Sequence, residues 1–302
     1  MFTWADFWGG FVLPGMVTGG LLLAGWRGTR RRWSARESRS WAGPLAVAAG
    51  FAAGYLALLG WPGFPPLDAV DWPLFLALPL APLGLLDARW RLDLPVRVLL
   101  LLAAVATAIV LIAWPLLSAE GASEGIGWRV VVATLVSMIF LVPLDVMAVR
   151  AWAGRYAAIA LAAAAPAAAV LMLSGSAKLG FAGGVLAVTQ LAAWMAYVIQ
   201  GRAAFARGCV LVFGTLMASL LWSASLYAEL WTFDALLLGL APQMAWLRYA
   251  IPLRAGWFAR SIAPVLLVLA VACVPVVRLW WTQPADDPYE GYGESAAVQI
   301  ER

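Results

Sequence analysis

The chain has no histidine anywhere in its 302 residues. Histidine-ligated haem, histidine-dependent lipid phosphatases and Ser-His hydrolases all depend on that imidazole, so their chemistry is excluded. Cysteine is almost as scarce. Cys209 and Cys273 fall at different depths of two separate apolar runs, so neither a disulfide nor a Cys/His zinc site is expected from them. A P-loop pattern is missing, as is a glycine fingerprint between strand and helix. Charge is thin as well. Charged residues make up 12% of the chain, against about 25% in an average soluble domain. These gaps leave no detectable catalytic chemistry, and no cofactor or metal is expected.

What fills the chain is apolar: 64% of its residues are hydrophobic, gathered into successive runs long enough to cross a bilayer. The sequence therefore predicts an all-α fold, a polytopic integral membrane bundle of about ten transmembrane helices. Residues 1–282 form one transmembrane domain. Residues 283–302 form an acidic, turn-rich tail that is expected to be disordered. Arg outnumbers the single Lys178 nineteen to one and Ala is abundant, a composition that suggests a GC-rich bacterial genome and a place in the cytoplasmic (inner) membrane. The N-terminal MFTWAD has no basic region and carries Asp6, so the first run reads as an uncleaved helix and not as a signal peptide.

The threading follows from the arginines. Arg27, Arg30, Arg31, Arg32, Arg36 and Arg39 crowd the loop after the first run, and cytoplasmic loops are the ones enriched in Arg and Lys. With that loop inside, sixteen basic residues fall at inner loops and four at outer positions: Arg129, Lys178, Arg278 and Arg302. Acids run the other way, four inside and twelve outside. The inner side then carries +12 and the outer side −8, consistent with the formal +4. Both termini are expected outside. Most of the eighteen Trp fall close to the ends of the runs, as an interfacial aromatic belt requires. The expected surroundings are the lipid bilayer, with anionic lipids at the Arg-rich inner loop and a possible protein partner in a membrane complex. The basic residues sit in short loops between spans, so nucleic acid is not expected.

Particular helices stand out. Gly15 and Gly19 in the first run and Gly50 and Gly54 in the second are four apart, which predicts close packing of those two helices. The sixth run, AAIALAAAAPAAAV, is expected at the centre of the bundle as its most buried helix, with Ala162 to Ala169 facing other helices. The third and ninth runs are short, carry proline and share Leu-Ala-Pro, a hint of a 4+2+4 pseudo-repeat and a pointer used to locate transporter sites.

A few polar groups lie at membrane depth, where they are costly. Asp145 follows Pro143 in the fifth run, Gln190 is near the middle of the seventh, and Gln243 follows Pro242 in the ninth. Together they mark a pathway or polar core. The alternatives are that Asp145 pairs with an inner-loop arginine and that the glutamines only bond neighbouring helices. Arg278, in the apolar VPVVRLWW, is expected to pair with Asp234, with Glu229 second, as a structural ion pair. Asp286, Asp287 and Glu290 resemble a Mg²⁺ cluster but lie in the tail. Ser174 or Ser176 with Lys178 has the form of a Ser-Lys dyad but sits in a plain turn. Asp68 and Asp71 are read as ending turns in a proline-rich loop. Two function classes survive: a permease-like protein with a small or lipidic solute path near spans 5, 7 and 9, and a non-catalytic scaffold or subunit of a membrane complex.

Overall fold

A computed structural model describes residues 3–30, 42–66, 68–118, 125–150, 153–200, 208–247 and 262–282. Among them there is no strand, and ten helical segments follow one another. Helix α1 (4–30) enters at Trp4–Phe7, passes through a π-turn at Trp8–Val12 and continues as Leu13–Arg30. It is followed by α2 (Ala42–Leu59), α3 (Trp72–Trp90), α4 (Leu94–Leu117) and α5 (Gly125–Arg150). Then come α6 (Ala153–Leu173), α7 (Ala177–Gln200) and α8 (Cys209–Tyr227). The last two are α9, which is Thr232–Leu240 continued by a 3-10 turn Ala241–Trp246, and α10 (Ala263–Thr282). All-helical construction is what lipid demands, because every backbone N–H and C=O must find its partner within the segment.

Nine of the ten are long and apolar enough to cross a membrane. The exception is α9, where Pro242 lies at the change from α to 3-10 geometry. A 3-10 turn rises further per residue than an α-helix. Nine α residues and six 3-10 residues together reach roughly 25 Å, against a hydrocarbon core of about 30 Å. The segment packs along α10 and touches α5, α6 and α8.

Successive helices run up and down, and their ends gather into two layers. At one end, Tyr55, Asp68, Asp71 and Lys178 meet, and the Tyr227 hydroxyl donates to the carbonyl of Ile112 (2.8 Å). At the other, Gly84 lies against Gly208 and Pro44. A Cβ on Gly84 would sit 2.8 Å from the Gly208 carbonyl oxygen, so only glycine permits that crossing.

The packing corrects two expectations. Gly50 and Gly54 do form a close contact with α1: a Cβ on Gly54 would lie 3.0 Å from the Pro14 ring and 2.6 Å from Val185. Gly15 and Gly19 do not answer it, since nothing lies within 4 Å of a Cβ built on Gly19. The face of α1 that meets α2 is instead Pro14 and Thr18, whose hydroxyl donates to the Ala46 carbonyl (3.2 Å). The second correction concerns the centre of the bundle. The most buried span is α8, at 83%, against 61% for α6. Small side chains let α6 lie very close to α7, with a Cβ on Gly183 only 3.0 Å from the Ala168 Cα. The same smallness gives α6 little to interlock with on its other side, and Ala165 and Ala169 are exposed. Helix α8 combines bulk (Phe213, Leu216, Leu220) with Ser219, whose hydroxyl is satisfied by its own helix at the Leu216 carbonyl (2.7 Å). It can therefore be enclosed on all sides.

Candidate functional site

The polar residues expected to form one core are in three places. Asp145 near the end of α5 pairs with Arg97 in the first turn of α4 (2.8 Å), both side chains being about nine-tenths buried. Buried Asp87 lines the same small space of about 10 Å³. Asp145 thus has the inner-loop arginine partner that was its alternative reading. Gln190 is fully enclosed, and its Nε2 donates to the Thr189 hydroxyl (3.2 Å). Thr189 faces Gly50, so this pair belongs to the packing of α1, α2 and α7. Gln243 alone is different: its Nε2 donates to the backbone carbonyl of Phe140, tying α9 to α5.

Arg278 reaches Asp234. Its Nε donates to Oδ1 (3.0 Å) and its Nη2 to Oδ2, a fork across the facing ends of α9 and α10. The second group against Arg278 is the Trp231 ring, 4.8 Å from the guanidinium carbon to the ring centre. Glu229, proposed for that place from sequence, is exposed, with a left-handed backbone at φ 51°. Arg27 and Arg30 lie on the last turns of α1. Arg31, Arg32, Arg36 and Arg39 lie outside the described residues, as do Asp286, Asp287 and Glu290. Among the described residues, no group of three or more Cys, Asp or Glu is placed to hold a metal ion.

One cluster was not foreseen. Lys178 Nζ stands between Asp68 (2.8 Å) and Asp71 (2.6 Å), and Tyr55 donates to Asp71 from a buried hydroxyl. Partial burial pushes the Asp68 carboxyl upward. The Lys178 hydrogen bond, the Val70 N–H and the Lys178 charge outweigh that and hold it below its usual range. The serines beside Lys178 do other work: Ser174 donates to the Leu171 carbonyl (2.8 Å), and Ser176 accepts the Leu179 N–H (3.4 Å). No Ser-Lys dyad is assembled. The cluster ties α2, α3 and α7 together at that end.

The open space in the membrane layer lies elsewhere, between α5, α8 and α9. A cavity of about 60 Å³ is walled by apolar residues such as Phe140, Leu144, Phe213 and Leu238, with Ser137 and Gln243 as its polar members. No family model, curated protein or solved structure matches this chain. This cavity forms a groove between the three helices. Residues of spans 5 and 9 line it, span 8 stands where span 7 was expected, and Gln190 does not line it. Trp222 on α8 borders the cavity, and its indole N–H donates to the Ser137 hydroxyl (2.9 Å). Sequence reasoning passed over both residues. The available signal was positional: Trp222 is more than a turn inside its span, away from the interfacial belt, and Ser137 is near mid-span.

Proposed function

We propose that the chain is a non-catalytic, permease-like membrane protein that holds and passes a lipidic solute in the groove between α5, α8 and α9. The observation that carries this reading is the groove: an apolar-walled cavity at membrane depth, bordered by a helix that changes from α to 3-10 geometry midway. Solute sites in transporters are often built beside such interrupted helices. The chemistry of the walls favours a lipidic solute over a small polar one, since two polar side chains cannot replace the hydration shell of an ion or sugar. A cavity of about 60 Å³ is smaller than the roughly 300 Å³ of an ordinary ligand site. The solute therefore enters as α9 moves, and the 3-10 turn at Pro242 is where that motion is absorbed. The membrane is proposed to be a bacterial inner membrane, with the Lys178 and Arg278 end outside.

The purified protein in liposomes should accelerate movement of a fluorescent phospholipid between leaflets, read by dithionite quenching. Ala218→Phe, which fills the cavity, should reduce that rate to the protein-free level at unchanged folded yield. A rate equal to protein-free liposomes for the unaltered protein would overturn the proposal and favour a scaffold. The observation favouring a scaffold is that Asp145, Asp234 and Arg278 are all engaged within the chain, as a purely structural bundle requires. A scaffold variant would lose partners on co-purification and show no flux to lose.

A further inference from the structure

Toward the end of the bundle that holds the Lys178 cluster lies a second pocket, of about 380 Å³. Ile109 and Ala113 of α4 form part of its apolar floor, and Arg129, Ser225 and Thr232 supply polar groups from α5, α8 and α9. Trp222 lines this pocket and also the deeper cavity, so one side chain is common to both walls. We infer that this pocket binds an anionic phospholipid, with the phosphodiester at Arg129 and an acyl chain laid toward Trp222. The inference rests on the groove reading above and names the class of amphiphile recognised.

Three observations meet here. The volume falls within the range of small-molecule sites, roughly 300–1,000 Å³. Among the described residues, the Arg129 charge has no acidic partner. Of the basic residues at this end, Lys178 lies between Asp68 and Asp71, and Arg278 is forked onto Asp234. Arg302 lies outside the described residues. Among the described residues, Arg129 is the cation of this end with no ion pair, and it opens onto the pocket. Finally, the lining is polarised. Arg129 with two hydroxyl-bearing residues suits a phosphate, because charge-assisted donors bind oxyanions most strongly. On the other wall shared through Trp222, the deeper cavity is apolar and has no second cation among its lining residues. A soluble anion would use the first half and leave the second bare. A neutral lipid would do the reverse. Exposed Trp128 beside Arg129 fits a site at headgroup depth, where tryptophan concentrates.

The test is lipid binding by native mass spectrometry of the purified full chain, with phosphatidylglycerol, phosphatidylcholine of the same acyl chains, and inorganic phosphate as probes. Phosphatidylglycerol should bind in preference. Arg129→Gln should weaken it roughly tenfold or more, the range for a charged hydrogen bond, while Arg129→Lys keeps part of the preference. Arg89→Gln, at the other end of the bundle, should leave it intact. Equal binding of the two lipids, or a preference that survives Arg129→Gln, overturns the site. So does inorganic phosphate bound as tightly as the lipid, or an equal loss in Arg89→Gln. The two proposals fail separately. A protein that moves lipid without headgroup preference overturns this site alone. One that shows the preference yet moves no lipid upholds the site and overturns the groove reading.

Discussion

Arg278 forks onto both carboxylate oxygens of Asp234, and the two partners differ in exposure: Arg278 keeps 35% of its side chain accessible, Asp234 only 1%. That asymmetry decides which substitution is worse. Arg278→Gln strands a carboxylate in a dry site, and an uncompensated buried charge of this kind costs about 3–5 kcal/mol. Asp234→Asn strands a guanidinium that can snorkel outward and that still faces the Trp231 ring, so its loss is smaller, about 1–2 kcal/mol. Thermal unfolding in detergent should rank Arg278→Gln below Asp234→Asn. The double variant should lie above Arg278→Gln, because removing the stranded charge relieves the penalty. Additive single losses would show that the pair is not coupled.

Arg97 and Asp145 make the contrasting case, a pair in which both side chains are enclosed. Arg97 Nε and Nη1 make no hydrogen bond, so the Asp145 contact carries much of what holds the guanidinium there. Asp145→Asn should therefore destabilise by about 3–5 kcal/mol. If Asp145 serves the fold and not the solute, lipid movement normalised to folded protein should be unchanged in that variant. Flux lost from a protein of normal stability would return Asp145 to the pathway.

The Asp68, Asp71 and Lys178 cluster should give the fold an acid-sensitive component. Asp68 sits below its ordinary value of 3.8 in the folded chain. Its contribution is therefore present above that value and is lost as pH falls through the lower, folded one. About half of the Asp68 side chain is exposed, so solvent screens the interaction and the effect is modest. Melting temperature should drop as pH falls from about 4 to below about 3 by more in the unaltered protein than in Lys178→Met. Parallel curves for the two would show that the lysine does not hold Asp68 ionised.

How far the sequence announced all this depends on the range of the interaction. Each span is written locally, as an apolar run ended by charge, and most helices follow those runs; the third, read as short, is instead a full helix, Trp72–Trp90, because it continues past the apolar run at both ends. The facing of Arg278 and Asp234 was also readable, because consecutive spans run in opposite directions and bring the start of α9 level with the end of α10. Burial of α8 was not readable. Its apolar content is ordinary, and what distinguishes it is being surrounded by helices distant in sequence. The Lys178 cluster joins residues more than a hundred positions apart, and each alone looks like a loop residue. The groove has the same origin. Ser137 and Trp222 gain meaning from each other across 85 positions, which no local pattern carries.

Sidedness is the last expectation, and it can be tested independently of function. Ser118 closes α4 at the layer that holds Tyr227, whose hydroxyl reaches Ile112 on the same helix. Arg89 is exposed near the end of α3 in the opposite layer, where Asp87, Arg97 and Asp145 gather. Basic residues favour the cytoplasmic side, and the threading expected from the sequence puts sixteen of the twenty on the Arg89 side. Ser118→Cys should therefore react with a membrane-impermeant maleimide in intact cells, and Arg89→Cys only after permeabilisation. The native thiols interfere little, since Cys209 is buried and Cys273 half-buried, and a Cys209→Ala, Cys273→Ala background removes them. A reporter after Arg302 adds the parity of α9. If the short segment of roughly 25 Å crosses, the C-terminus shares a side with Ser118 and a periplasmic reporter is active there. A cytoplasmic reporter active after Arg302, together with outside labelling of Ser118→Cys, would mean that α9 turns back within the membrane. The whole threading fails if Arg89→Cys is the position labelled in intact cells.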